Sequence, residues 1–291
     1  MVGLSACGSD TPVGPQPSPS PSGPTPPALL SPVGGVEVPS DTPTFVVQNA
    51  APGFGPGQAS YTFRITSRSG EREILTFSAP AGSGTTSATA PEPLPRGMLL
   101  RWQVTASNGT AELHSTPSTF RLPPVNCVAS DDPYAKEWVD WFIPACSLAQ
   151  NRYNDPDDVL GAPDAGGRGP DRFVGFLSLG DGGRIDVDMQ SCAVDGPGFD
   201  VRVWQSVSSE PVVLYAAGRP SGPFVRIRKL NNCGRESPDH FSNYCDFDLA
   251  DAEIDEARYL RVEDGERYPC PGETNSEGAD IDAVELLHTK P

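Results

Sequence analysis

Methionine and histidine are scarce in this chain of 291 residues, with three of each. The only histidines are His114, His240 and His288, so imidazole acid–base chemistry has few places to reside. No HExxH, GxSxG or Walker pattern occurs, which removes the common metalloprotease, serine hydrolase and P-loop readings. No run of about 18 apolar residues occurs, so no segment reads as a membrane-spanning helix. Cysteine is absent from 8–126, and no two cysteines have CxxC spacing, against a zinc or thioredoxin-like site. Basic residues are also short, 21 Lys and Arg against 38 Asp and Glu. The deficit is local: residues 1–124 hold six basic and seven acidic residues, and residues 125–291 hold fifteen and thirty-one. The second part therefore repels nucleic acid and anionic surfaces and attracts cations.

Proline is abundant where other features are missing. Residues 11–27 read TPVGPQPSPSPSGPTPP. Proline fixes φ and removes an N–H, so this stretch is predicted to join neither helix nor sheet. As extended polyproline II at about 3.1 Å per residue, it spans roughly 50 Å. Just before it, Leu4-Ser5-Ala6-Cys7 resembles the lipobox of bacterial lipoproteins. That resemblance implies that residues 1–6 are the remnant of a signal peptide and that Cys7 is lipidated. Residues 7–27 then form the anchored linker. Gly8, where an aspartate usually marks inner-membrane retention, implies the outer membrane or cell surface.

Export makes the remaining cysteines disulfide candidates: Cys127, Cys146, Cys192, Cys233, Cys245 and Cys270. Their even number fits a disulfide framework, and Cys7 is the odd one that a lipid would consume. Spacing does not choose the connectivity, although Cys233 and Cys245 suit a short loop.

Residues 28–122 alternate short β-branched and aromatic runs with Gly, Pro, Ser and Asn turns. Strands are predicted at Thr44–Gln48, Ala59–Thr66, Glu73–Phe77, Thr85–Ala90, Leu99–Ala106, Ala111–Leu113 and Thr119–Leu122. Tyr61, Phe63 and Ile65 share one face, and Asn108-Gly109 signals a hairpin. This pattern predicts a β-sandwich. Leu30-Ser31-Pro32-Val33-Gly34-Gly35, Pro43-Thr44-Phe45 and Arg101-Trp102-Gln103-Val104-Thr105-Ala106 resemble fibronectin type III domains of bacterial surface proteins. Leu100 stands where that family has a tyrosine, and Phe45 where it has a tryptophan. An immunoglobulin-like sandwich of another subtype fits the residues equally, and the domain reads as a spacer, with a specific binding role as the alternative.

Residues 125–291 are long enough for one core that buries roughly 70% of its surface. Strands are predicted at 183–189, with Ile185, Val187 and Met189 inward, and at 199–204, 211–216, 224–230, 257–262 and 281–287. Short helices are predicted within 135–149, with Trp138 and Trp141 on one face, and over 248–254. The reading is an eight-stranded jelly roll, so the fold class is all-β, two sandwiches after a disordered tether. The run Asn154–Asp164, the run Phe176–Ile185, Asp195–Val201, Glu210-Pro211, Ala257–Val262 and Gly278–Val284 are similar to discoidin-like, galactose-binding-like cell-surface modules. One departure from that pattern is Ala217–Gly222, where relatives carry an Asp-Gly turn.

Two chemistries suit these motifs. Calcium takes about 6–8 oxygens at about 2.3–2.6 Å and tolerates irregular loops. Asp195, Asp200, Glu210, Asp280 and Asp282 are its candidate ligands, against the plainer role of acids that close turns. Asp155, Asp157 and Asp158 begin like an EF-hand loop but lack its glycine and closing glutamate. Glycan recognition calls for exposed aromatics beside planar polar groups, and Trp138, Trp141, Tyr153, Trp204, Tyr244 and Tyr268 are candidates. Trp204 is placed in the core. The expectation is an envelope-anchored, non-catalytic protein that binds a glycan or an envelope protein, with calcium as cofactor. It touches the membrane through its lipid alone and binds no nucleic acid. The alternatives are a purely structural envelope protein and a glycan-acting hydrolase.

Overall fold

A computed structural model describes residues 23–147, 153–165, 175–206, 210–227, 233, 235–236, 243–265 and 278–290. Among these, no helix is long and apolar enough to cross a membrane. The lipobox, most of the proline tether, His240, Tyr268 and Cys270 lie outside the described residues.

The first part is a two-sheet sandwich of β1 (Ala28–Ser31), β2 (Val36–Glu37), β3 (Thr44–Gln48), β4 (Ser60–Ser67), β5 (Glu73–Pro80), β6 (Thr85–Thr89), β7 (Leu99–Ser107), β8 (Glu112–His114) and β9 (Ser118–Arg121). One sheet runs β1-β3-β6 and the other β2-β9-β7-β4-β5, with β8 on β7. Tyr61, Phe63 and Ile65 all point inward and are fully buried, as their alternation predicts. Phe45 packs 4.8 Å from Trp102, centroid to centroid. The buried indole N–H of Trp102 donates to the Pro32 carbonyl at 2.7 Å, so it carries no unpaired donor into the core. The turn between β7 and β8 passes through Asn108 and Gly109, and the Asn108 side chain accepts from the Ala111 N–H at 2.9 Å. One expectation is corrected at the end of the tether. Thr25 exchanges two backbone hydrogen bonds with Ala51, at 2.6 and 3.2 Å. A proline withdraws only its own N–H, and Thr25 keeps one.

The second part contains β10 (Glu137–Phe142), β11 (Leu177–Ser178), β12 (Arg184–Val194), β13 (Val201–Gln205), β14 (Val212–Ala217), β15 (Val225–Arg226), β16 (Arg235–Glu236), β17 (Asn243–Phe247), β18 (Glu256–Asp264) and β19 (Asp280–Leu286). They form two five-stranded sheets, β10-β12-β18-β14-β15 and β11-β19-β13-β17-β16. Consecutive strands β12, β13 and β14 alternate between sheets, as in a jelly roll, with ten strands among the described residues where eight are predicted. Ile185, Val187 and Met189 are fully buried between the sheets. Residues 137–142 are a strand, where a helix is predicted. Trp138 and Trp141 lie three apart, which suits one face of a helix, but pairing with β12, with a register shift between Trp138 and Asp140, makes the segment a strand. The 248–254 segment does contain a short 3-10 turn, Leu249–Ala252, capped by Asp248.

Two disulfides are described, Cys127–Cys192 and Cys233–Cys245, the second as the spacing suggested. Cys146 is disulfide-bonded as well.

The two sandwiches grip each other across Pro123-Pro124. The Gly97 carbonyl accepts from the N–H groups of Asp255 and Glu256 at 2.7 and 3.0 Å. A Cβ on Gly97 would stand 1.9 Å from the Glu256 carbonyl oxygen, so this approach requires glycine. Glu253 accepts from Ser67 Oγ and the Ser69 N–H, both at 2.8 Å. Asp41 binds both Arg96 and Arg219, at 2.7 and 2.6 Å.

Candidate functional site

The bend between β12 and β13 gathers carboxylates. Asp200 is fully buried. Its Oδ1 accepts from the Gly196 N–H at 2.9 Å and faces His288 Nδ1 at 2.9 Å. Its Oδ2 accepts from the Leu249 N–H at 2.7 Å. A Cβ on Gly196 would lie 2.5 Å from His288 Nδ1, so glycine lets the bend pass beneath the imidazole. Asp195, Asp200 and Asp248 each present an oxygen within 4.8 Å of the others. Partial burial, then the charges of Asp200, Asp248 and Asp255, raise the Asp195 carboxyl above its ordinary range, with Arg68 opposing. A hard cation would relieve that repulsion, and an all-oxygen donor set suits calcium. Asp248 is absent from the predicted ligands. Its signal was local, an aspartate at the start of the 248–254 segment, but its approach to Asp195 is a long-range contact.

The other three predicted ligands lie elsewhere. Glu210 precedes β14, and its carbonyl accepts from Gln205 Nε2 at 2.8 Å. Asp280 accepts from the Ser178 hydroxyl. Asp282 is buried at the far end of β19 from Asp200 and accepts from the N–H groups of Asp164 and Ala165, at 3.0 and 3.1 Å.

The outer face of the sheet β11-β19-β13-β17-β16 carries the second arrangement. Alternation along β13 turns Val201, Val203 and Gln205 inward and Arg202 and Trp204 outward. Trp204 is therefore not in the core: it shares the parity of Arg202, and the core positions go to the valines. Its indole N–H donates to Glu285 at 2.8 Å. Tyr244, the residue opposite on β17, stands 5.2 Å away, centroid to centroid. The Arg202 guanidinium lies 3.8 Å over the Tyr244 ring and is held by Asp246 at 2.7 Å. Two aromatic rings, a guanidinium and the Glu285 carboxylate are thus fixed on one half-buried surface, with the buried Asp246 anchoring the guanidinium from below.

The remaining aromatic candidates are dispersed. Trp141 packs on the core. Trp138 is exposed and donates to Asp157 at 2.8 Å. Tyr153 stacks on Phe176 at 4.6 Å. A cleft of about 760 Å³ opens between the sandwiches, lined by Glu71, Arg72, Ile74, Phe224 and Arg226 among others. His114 bonds Thr105 at 2.9 Å.

No family model and no curated protein matches the chain. Among solved structures, the FN1–FN3 domains of chicken CNTN1 are 13% identical at a TM-score of 0.24, covering 88% of this chain and 66% of that one. The alpha-L-rhamnosidase of Aspergillus terreus is 12% identical at 0.25, covering 89% and 27%. The C-terminal domain of the Streptococcus pyogenes antigen I/II-family protein AspA is 9% identical at 0.21, covering 82% and 89%. The chain thus spans less than two thirds of the first two. TM-scores of this size define no common fold, and the all-β assignment rests on the strands themselves.

Proposed function

We propose that the chain is a non-catalytic binding protein of a bacterial envelope. Cys7 carries the lipid, residues 7–27 are the tether, the first sandwich is a spacer, and the second recognises a glycan. The observation that carries this reading is the Arg202, Trp204, Tyr244 and Glu285 surface. Aromatic rings stack on the apolar faces of sugars, and fixed carboxylates and guanidinium groups bond their hydroxyls. A panel of neutral and acidic polysaccharides in affinity gels tests it with the full chain. Retention by at least one, weakened roughly tenfold or more in Trp204→Ala and Tyr244→Ala, supports the reading. Absence of retention throughout would favour a purely structural role, and sugar release would favour a hydrolase.

A second reading concerns the cofactor. Asp195, Asp200 and Asp248 hold a structural calcium ion, supported by their mutual approach within 4.8 Å. The membrane anchor has its own check. Protein extracted from native membranes should give an intact mass showing acylation at Cys7, and an unmodified Cys7 would remove that part.

A further inference from the structure

β10 ends its sheet, so a row of its N–H and C=O groups faces outward. Among the described residues no strand pairs with that row. The side chains are exposed as well, Trp138 at 40%, Val139 at 38% and Phe142 at 48%. Half of the large exposed hydrophobics of the described residues thus fall within six consecutive positions. An open apolar edge is a template for another strand, and proteins guard such edges with lysine or proline. Residues 137–142 contain neither.

Charge says what the edge accepts. Asp131, Asp132, Glu137 and Asp140 lie over 131–142; Lys136 pairs with Asp132 and Arg184 of β12 with Asp140, so the acids still outnumber the bases at this edge. Asp157 sits against Trp138 and adds another acid to the rim. A second copy paired antiparallel with Glu137 opposite Asp140 would set like charges directly against each other, which disfavours self-pairing in that register. A strand in which Lys or Arg alternates with apolar residues meets both the acids and the rings.

We propose that β10 docks a basic, extended segment of a partner protein as an added strand. The surface is distinct from the Trp204 face, which lies on the other sheet.

The test titrates the full chain with a blocked peptide of alternating Lys and Val and with its Glu/Val counterpart, followed by tryptophan fluorescence. The Lys/Val peptide should bind at least about tenfold tighter, and Glu137→Lys/Asp140→Lys should remove about tenfold in affinity. The control Glu92→Lys/Glu112→Lys, on exposed sites of the first sandwich, should leave affinity unchanged. If Glu137→Lys/Asp140→Lys lowers the melting temperature, Glu137→Gln/Asp140→Asn replaces it and should weaken binding in the same direction. Equal binding of the two peptides, or equal loss in the control, would overturn the proposal. So would a wild-type dimer in sedimentation that the peptide dissociates, since that assigns the edge to a second copy.

Discussion

Asp282 is 1% exposed, and its Oδ2 has no hydrogen-bond partner. Burial pushes its carboxyl up to about 6; the N–H groups of Asp164 and Ala165 oppose this, and the charges of Asp164 and Asp158 add to it. The folded state therefore holds this proton more tightly than the unfolded chain. Its contribution favours folding at low pH and is lost as pH rises from about 4 through about 6. Asp282→Asn keeps the acceptor for both N–H groups and removes the charge. It should exceed wild type in urea stability by about 1–3 kcal/mol at pH 7.5, with the gap shrinking at pH 4.5. An equal difference at both pH values contradicts this. The calcium proposal is also decided by single residues. Calcium at a hundredfold excess over Kd should stabilise the chain by about 2.7 kcal/mol relative to EDTA, and Asp195→Asn or Asp248→Asn should abolish the gain. No melting shift would return these acids to turn closure. Asp195 and Asp200 could be read as neighbours from one glycine-rich bend, whereas Asp248 could not, because its partner lies some fifty positions earlier.

The strands were the most legible elements, because an alternating face shows at a range of two residues. β3, β4, β7, β12, β14, β18 and β19 fall within a few residues of where alternation puts them. Trp204 shows what the pattern also contained: its parity with Arg202 was visible, and only the bulk of the indole argued for the core. β10 was not legible. Its exposed hydrophobics break alternation, and only non-local pairing with β12 makes it a strand. At this scale the Cys127–Cys192 disulfide matters most, since it fastens the segment entering the second sandwich to β12 across 65 positions. Cys127→Ser/Cys192→Ser should cost about 3–4 kcal/mol in denaturant unfolding of the oxidised chain. A loss under about 1 kcal/mol would mean that packing alone fixes that segment.

The grip between the two sandwiches was invisible in the sequence, because Gly97, Asp41 and Glu253 look like ordinary turn residues. In the folded protein they hold the second sandwich at a fixed angle to the first. Asp41→Ala/Glu253→Ala removes the bonds to Arg96, Arg219, Ser67 and Ser69. Small-angle scattering should then show a larger maximum dimension than wild type, and an unchanged profile would assign the rigidity to Gly97 and the linker. The division of charge is a whole-molecule property that the sequence displayed openly, with the acids concentrated in the second part. Both proposed surfaces lie on that part.

The most direct measurement is hydrogen–deuterium exchange of the full chain with and without the polysaccharide that retains it best. Binding at the Trp204 face predicts slowed exchange in 201–205, 243–247 and 280–286, with β12 and β18 of the opposite sheet unchanged. Protection confined to that opposite sheet, or none at any position, would contradict glycan recognition by this face.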